Sequence, residues 1–200
     1  MEPSRHYETG PDATSRATDE ALRRAHDASS IICVEGISDQ IALETMADRI
    51  GRDLLRDRVV VVPIGGAHAI ANLVAELGDR GDLRISGLVD EAEADLFVRA
   101  AANAPGFSPE RIHICVRDLE EELIRSLDPP ALEALLEADG DLGSFRTMQK
   151  QPAWRGHPFE AQIHRWMRSI SGRSNRYADR ILRSADAQLP APLVAAIETA

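Results

Sequence analysis

Carboxylates recur in this chain at places where a backbone would turn. Glu35 and Asp39 lie in VEGISD, directly after Ile31-Ile32-Cys33-Val34. That run is short, apolar and rich in branched side chains, and reads as a buried strand. Gly36 permits a tight turn. Ser38 is an N-cap candidate for a helix over residues 39–50, whose Ile41, Leu43, Met46, Ala47 and Ile50 fall on or near one face. Gly51 is a candidate C-cap. Glu35 and Asp39 would then flank one strand-to-helix corner, where open α/β sheets bind ligands. Two carboxylates there suit a hard cation. The plainer alternative is a solvated Glu35 and an Asp39 that complements a helix dipole.

More acids follow at equivalent positions. Asp90-Glu91-Ala92-Glu93 closes a strand read over 84–90, and Asp118-Leu119-Glu120-Glu121-Glu122 follows a strand read over 112–116. Asp118 with Glu121 also fits an N-cap box, the structural role expected for Glu121. Val59–Val62 is another strand, and its unbroken valine suggests burial on both faces. It runs into Pro63-Ile64-Gly65-Gly66. The N–H groups of Gly65 and Gly66 could approach a phosphate, or the pair could serve only as a turn. No Walker A motif follows.

The elements that must position these acids alternate. Residues 31–127 read as four strand–helix pairs, which predicts an α/β fold: a four-stranded, mainly parallel sheet between helices. Strands one and three both end in acids on the edge where a site is expected. After Pro129-Pro130 only helices are read, over 131–138, 142–150, 159–170, 175–187 and 192–199. This all-helical C-terminal extension either wraps the sheet or forms a small lobe. Residues 1–17 are polar and aperiodic, which predicts disorder, and 18–29 fit a short helix. The expected division is an N-terminal segment over 1–29, a sheet domain over 30–128 and the extension over 129–200.

The net charge of -10 gives no global attraction for nucleic acid, but it is unevenly spread. Residues 29–140 hold 22 acids and 10 bases, whereas 141–183 hold three acids and nine bases. The basic stretch also carries Phe145, Trp154, Phe159, Trp166 and Tyr177. Arginine with aromatics suits a nucleic-acid backbone and unstacked bases. Equally, the aromatics can form a helical core, the role expected of Trp154 and Trp166, while the arginines pair with acids. Arg173 and Arg176, at a loop-to-helix entry after Gly172, are the candidate phosphate contacts.

Cys33 and Cys115 sit in apolar runs and read as buried thiols. Two cysteines without a CxxC pair exclude a zinc ribbon and a disulfide scaffold. No apolar stretch is of membrane-spanning length, so the expectation is a soluble, cytoplasmic chain with no membrane partner. VEGISD lacks the G-x-G-x-x-G of dinucleotide-binding folds.

VEGISD, the Gly-Gly corner after the second strand and LVDEAE after the third together resemble a Toprim domain, the metal-binding α/β fold of topoisomerases, bacterial primases, recombination mediators and certain nucleases. The likeness is nearest to the Toprim half of OLD (overcoming lysogenization defect) nucleases, and extends over much of residues 30–185 to stand-alone Toprim nucleotidyl transferase/hydrolase proteins. The resemblance implies a nuclease using Mg2+ or Mn2+ on DNA, or on RNA as a small ribonuclease. It assigns Glu35 and Asp90 as catalytic residues, and Glu35, Asp39, Asp90, Glu93 and Glu120 as metal ligands. The chain departs from the D-x-D pattern at Ala92, leaving Glu91 or Glu93 to supply the second acid. It has Arg173 or Arg176 where the resemblance leads one to expect a basic tail residue, and it lacks the ATPase half, so ATP would act through a separate partner chain. A homodimer is compatible with the sequence. A non-catalytic, nucleic-acid-binding or adaptor Toprim module is the alternative. A topoisomerase is disfavoured because there is no room for a separate tyrosine-bearing domain, Tyr7 and Tyr177 being poor nucleophile candidates; a primase is disfavoured without a zinc ribbon.

Overall fold

The computed structural model describes residues 13–77, 80, 82–104 and 106–200. The expectation for residues 1–12, Tyr7 included, lies outside them. Residues 13–17 belong to a helix: α1 spans Ala13–Ala25, earlier at both ends than the 18–29 expected.

Four strands, β1 (Ser30–Val34), β2 (Val59–Pro63), β3 (Arg84–Asp90) and β4 (Phe107–Cys115), form one sheet in the order β2-β1-β3-β4. Every neighbouring pair is parallel, with Val34 opposite Pro63 and Leu88, and Asp90 opposite Cys115. The connection from β1 runs outward to β2, whereas β3 lies on the other side of β1 and leads outward to β4. The order therefore reverses between β1 and β3, and a crevice opens there, outside their carboxyl ends. Glu35 follows β1 and Asp90 ends β3, so the topology places both at that crevice.

The central strands are buried on both faces, as parallel strands under helices must be. Ile32, Val34, Val59, Val61 and Leu88 join one core, and Ile31, Cys33, Val60, Val62, Ile85 and Val89 join the other. This alternation is the period-two direction of strand side chains. The second face is covered by α1, α3 (Ile70–Leu77) and α4 (Ala94–Ala101). At Gly87 the Phe97 ring of α4 comes so close that an added Cβ would lie 2.7 Å from it.

The first face is covered by α2 (Ile37–Arg49) and α5 (Leu119–Arg125), together with the extension: α6 (Pro129–Ala138), α7 (Leu142–Gln149), α8 (Phe159–Met167), α9 (Arg173–Leu182) and α10 (Ala191–Glu198). The extension thus wraps the sheet and shares its core. Helix α2, expected to bury one face, is buried nearly all round between sheet and extension, Gln40, Glu44 and Thr45 included. Thr45 donates to Asp179 at 3.0 Å and Arg49 to the Leu182 carbonyl at 3.1 Å, tying α2 to α9. Trp166 and Tyr177 are 1% exposed and stack edge-on at 5.3 Å, so both are core. Trp154 is half-buried against the same core.

Strand β4 begins five residues before the expected 112. Its first half carries Pro109, Glu110 and Arg111 and pairs irregularly with β3. An edge strand tolerates proline and a bulge there, because only one side must hydrogen-bond. No helix among the described residues is long and apolar enough to cross a membrane.

Candidate metal centre

Glu35 is held at three points. The Gly65 and Gly66 N–H groups both donate to its backbone carbonyl at 3.0 Å, and its carboxylate Oε1 accepts the Asp90 N–H at 3.3 Å. The two glycines take φ +76 and +113, values that favour glycine. This corrects the phosphate-cradle reading of Gly65 and Gly66. Their N–H groups are spent on the loop that carries Glu35, so the glycine corner positions the acid.

The N-cap of α2 is Gly36, not Ser38, and the helix opens at Ile37. The Asp39 carboxylate accepts the Gly36 N–H at 2.9 Å, closing the first turn. Asp39 therefore does the capping work of the structural alternative while also facing the acids. Asp90 accepts the Leu119 N–H at 3.1 Å, which joins the end of β3 to the start of α5.

Electrostatics show how closely these groups crowd. Burial, then the charge of Glu35 and that of Asp118, push Asp90 up to about 7. Burial and the neighbouring charges of Asp90, Glu35 and Glu120 hold Asp39 well above the ordinary carboxylate range. Burial, Glu93 and Glu120 raise Glu35, against the lowering effect of the Asp90 N–H. Among the described residues neither Glu93 nor Glu120 has a hydrogen-bonded or ion-paired partner, whereas other nearby acids are spent on structure. Glu91 accepts the Arg117 N–H at 3.2 Å, Glu122 accepts the Val116 N–H at 2.9 Å, and Glu121 pairs with Arg117 and Arg125.

Asp118 caps α5 by accepting the Glu121 N–H at 2.9 Å, the expected N-cap; Glu121 turns to arginines rather than completing the box. The other carboxylate oxygen of Asp118 receives His164 Nε2 at 2.7 Å and Arg168 at 3.0 Å, both from α8 and the residue after it. Burial would raise this carboxyl, but the His164 and Glu121 hydrogen bonds and the charges of His164 and Arg168 outweigh it and hold it low. One ligand atom each of Asp118, Glu120 and His164 falls within 4.8 Å of the others. Among the described residues no three of Glu35, Asp39, Asp90 and Glu93 converge so tightly. The expected carboxylates are thus neighbours in charge, and a histidine completes the tightest group. Neither His164 nor Arg168 was singled out in the sequence as a site residue: they lie 46 and 50 positions beyond Asp118, and only the docking of α8 on α5 brings them there.

Arg173 is 7% exposed, sits 3.8 Å over the Trp166 ring and donates to Ser169 at 2.8 Å and to the Trp166 carbonyl. This corrects its reading as a phosphate contact: the guanidinium is turned into the extension. Arg176 pairs with Asp141 and lies over Tyr177. Arg146, Arg180 and Arg183 likewise find Glu133, Asp139 and Asp179. Four of the nine bases in this stretch are thus paired with acids of the extension itself.

The sheet order and the acid-lined switch point define a Toprim fold. Residues 28–89 match the family model described as "Overcoming lysogenization defect protein-like, TOPRIM domain", a match that runs from before β1 to the residue preceding Asp90. The C-terminal region of the Xanthomonas campestris pv. campestris OLD protein superposes with a TM-score of 0.63 at 17% identity, covering 86% of this chain and 93% of that one. The C-terminal region of the Burkholderia pseudomallei OLD protein gives 0.59 at 16% identity, covering 86% and 96%. No curated protein sequence matches. The chain carries a Toprim domain resembling that of OLD proteins, and the likeness of fold includes the helical extension.

Proposed function

We propose that the chain is a divalent-metal-dependent phosphodiesterase, a nuclease of the OLD-like Toprim type that cuts or nicks DNA at the β1–β3 crevice. The observation that carries this reading is the burial of Glu35, Asp39 and Asp90 at one crevice, which, with the charges of neighbouring acids, raises all three. Buried like charges are costly unless a cation balances them. Carboxylate oxygens suit Mg2+ or Mn2+, so the residues present fit such an ion. Glu35 and Asp90 would hold it, with Glu93 and Glu120 as the unpaired acids beside them. When bound, such an ion activates water and stabilises the leaving oxygen.

The chain's own groups do the rest. The Gly65 and Gly66 N–H groups and the Asp90 N–H fix Glu35, which can accept a proton. Asp39 is the least free of the expected ligands, because it closes the first turn of α2. Arg168, half-exposed beside Asp118, takes the place in this reading first given to Arg173 or Arg176. It offers positive charge to a phosphate but no proton.

Incubation of supercoiled plasmid with Mg2+ or Mn2+ tests the proposal. Wild-type protein converts it to nicked or linear product, and Glu35→Ala and Asp90→Ala each abolish the conversion. Intact plasmid and intact single-stranded DNA with both metals would remove the nuclease reading. Structured RNA in the same assay separates a ribonuclease, and addition of a separate ATPase chain tests dependence on that partner.

One observation favours a non-catalytic adaptor: Ala92, exposed, holds the place of the second D-x-D acid. An adaptor predicts no Mg2+ binding at millimolar concentration, and nucleic-acid affinity unchanged by Asp90→Ala.

A further inference from the structure

Helix α8 has two unlike faces. Ile163, Trp166 and Met167 are buried in the core. Ala161, His164, Arg165 and Arg168 recur at the i, i+3, i+4, i+7 spacing of one stripe on the other side. The crevice lies at one end of that stripe, where His164 and Arg168 meet Asp118. At the other end is the segment 150–158, which joins α7 to α8.

That segment is exposed yet held in place. Gln162, only 7% exposed, donates to the Trp154 carbonyl at 2.8 Å and accepts from Gln149 of α7 at 2.7 Å. The Trp154 and Arg155 N–H groups both donate to the Gln151 carbonyl at 2.9 Å. The exposed His157 has its ring 5.2 Å from that of Trp154. Lys150, Arg155 and Arg165 are exposed, and among the described residues none of them is paired with an acid. Between Leu142 and Ala178 the sequence has one acid, Glu160, which lines a separate cavity beside Asp128 and Asp186. In a chain of net charge -10 this surface is where a polyanion is least repelled.

We propose that the outer stripe of α8 and the segment 150–158 form a track for single-stranded DNA leading away from the crevice, with Arg165 and Arg155 on backbone phosphates and His157 stacked on a base. The inference rests on the reading of the crevice as a nuclease centre and adds the path of the flanking strand. From Phe159 to Arg168 the helix rises about 14 Å at 1.5 Å per residue, the length of about four stacked nucleotides at 3.4 Å each. Charges along a single helix face match one backbone rather than two, and an exposed ring at the far end needs an unstacked base. Because Gln162 fixes the segment before binding, little ordering entropy opposes docking.

The test uses the whole chain in EDTA, where binding is read without cutting. Fluorescence anisotropy follows a fluorescein-labelled single-stranded DNA of mixed sequence, the same sequence as duplex, and the same sequence as RNA. The Arg155→Ala/Arg165→Ala double variant is expected to bind single-stranded DNA about tenfold more weakly, and to reduce the slope of log affinity against log salt by about 1.4 for two lost phosphate contacts. His157→Ala is expected to lose about fivefold or more with the salt slope unchanged, as stacking requires. Arg183→Ala, which removes a base paired with Asp179, is expected to bind as wild type does. All four side chains are exposed or at the rim of the fold, and a urea melt of each variant matching wild type excludes misfolding as the cause. Unchanged single-strand affinity in the double variant, an equal loss in Arg183→Ala, or tighter binding of the duplex or the RNA than of single-stranded DNA overturns the inference. The two proposals fail separately. A wild type that leaves plasmid intact, while the double variant loses single-strand affinity, removes the nuclease and keeps the track; metal-dependent nicking with single-strand affinity unchanged in the double variant does the reverse.

Discussion

The carboxylate of Glu35 accepts the backbone N–H of Asp90 at 3.3 Å. This contact spans the ends of β1 and β3, the two strands between which the sheet order reverses. The side chain of one expected metal ligand thus depends on the backbone of the other. The Gly65 and Gly66 N–H groups hold the Glu35 carbonyl from the β2 side, so three consecutive positions of the sheet edge converge on one acid.

That relationship separates charge from position at Glu35. Glu35→Gln keeps an oxygen acceptor for the Asp90 N–H but removes the charge. The expected outcome is a melting midpoint close to wild type together with at least a tenfold loss of Mn2+ affinity, read by scanning calorimetry and isothermal titration. A variant that unfolds, or that binds Mn2+ as before, contradicts the role given to this carboxylate.

The crowded acids set a pH dependence. The Asp90 carboxyl titrates at about 7 in the folded chain and near 3.9 when unfolded. Its contribution to stability is therefore fully present below the unfolded value and is lost as pH rises through about 7. Asp118, held low by its partners, acts oppositely: its contribution is present above its unfolded value and is lost as pH falls through the folded one. Urea denaturation without metal should show stability declining from about pH 4 to pH 7, and Asp90→Asn should flatten the decline and stabilise the chain at pH 8 by about 1 kcal/mol, a figure discounted for solvent screening. Stability rising across that range, with no gain in the variant, contradicts the account of Asp90.

Two arginines should behave differently. Arg173 is buried on Trp166, so Arg173→Ala should cost about 2–3 kcal/mol of stability through lost packing and unpaired carbonyl and hydroxyl groups. Arg168 is half-exposed, and Arg168→Ala should cost about 1 kcal/mol or less while weakening DNA binding and reducing its salt dependence. Filter binding across a salt series beside urea melts checks both. The reverse pattern would return Arg173 to the nucleic-acid surface.

Gly87 tests the packing beneath the crevice. A Cβ there would lie 2.7 Å from the Phe97 ring, so Gly87→Ala should destabilise by about 1–3 kcal/mol. Adding Phe97→Leu should recover part of that loss, as a shared steric cause requires. Additive losses in a double-mutant cycle would place the cause elsewhere.

The α/β alternation was legible because the strands are central and buried on both faces, which leaves unbroken runs such as Val59–Val62. The start of β4 was not, because Pro109, Glu110 and Arg111 are compatible with an edge position that local pattern does not reveal. The places of Glu35 and Asp90 at the strand ends were readable. The glycine corner was found with two readings, phosphate cradle or turn, and the structure uses the turn: in sequence a Gly-Gly turn that cradles phosphate looks the same as one that holds a neighbouring carbonyl. The His164–Asp118 contact and the inward turn of Arg173 are products of helix packing over long separations. A basic, aromatic stretch signals nucleic acid and a helical core equally, and only the partners of Asp139, Asp141 and Trp166 separate the two.

The most direct measurement is anomalous scattering from a crystal soaked in Mn2+. The account predicts an anomalous peak coordinated by the Glu35 and Asp90 carboxylates, with Glu35→Ala removing it. Carboxyl groups that point apart around an empty crevice, at a Mn2+ concentration that supports no peak there, would contradict the claim that this corner is a metal centre.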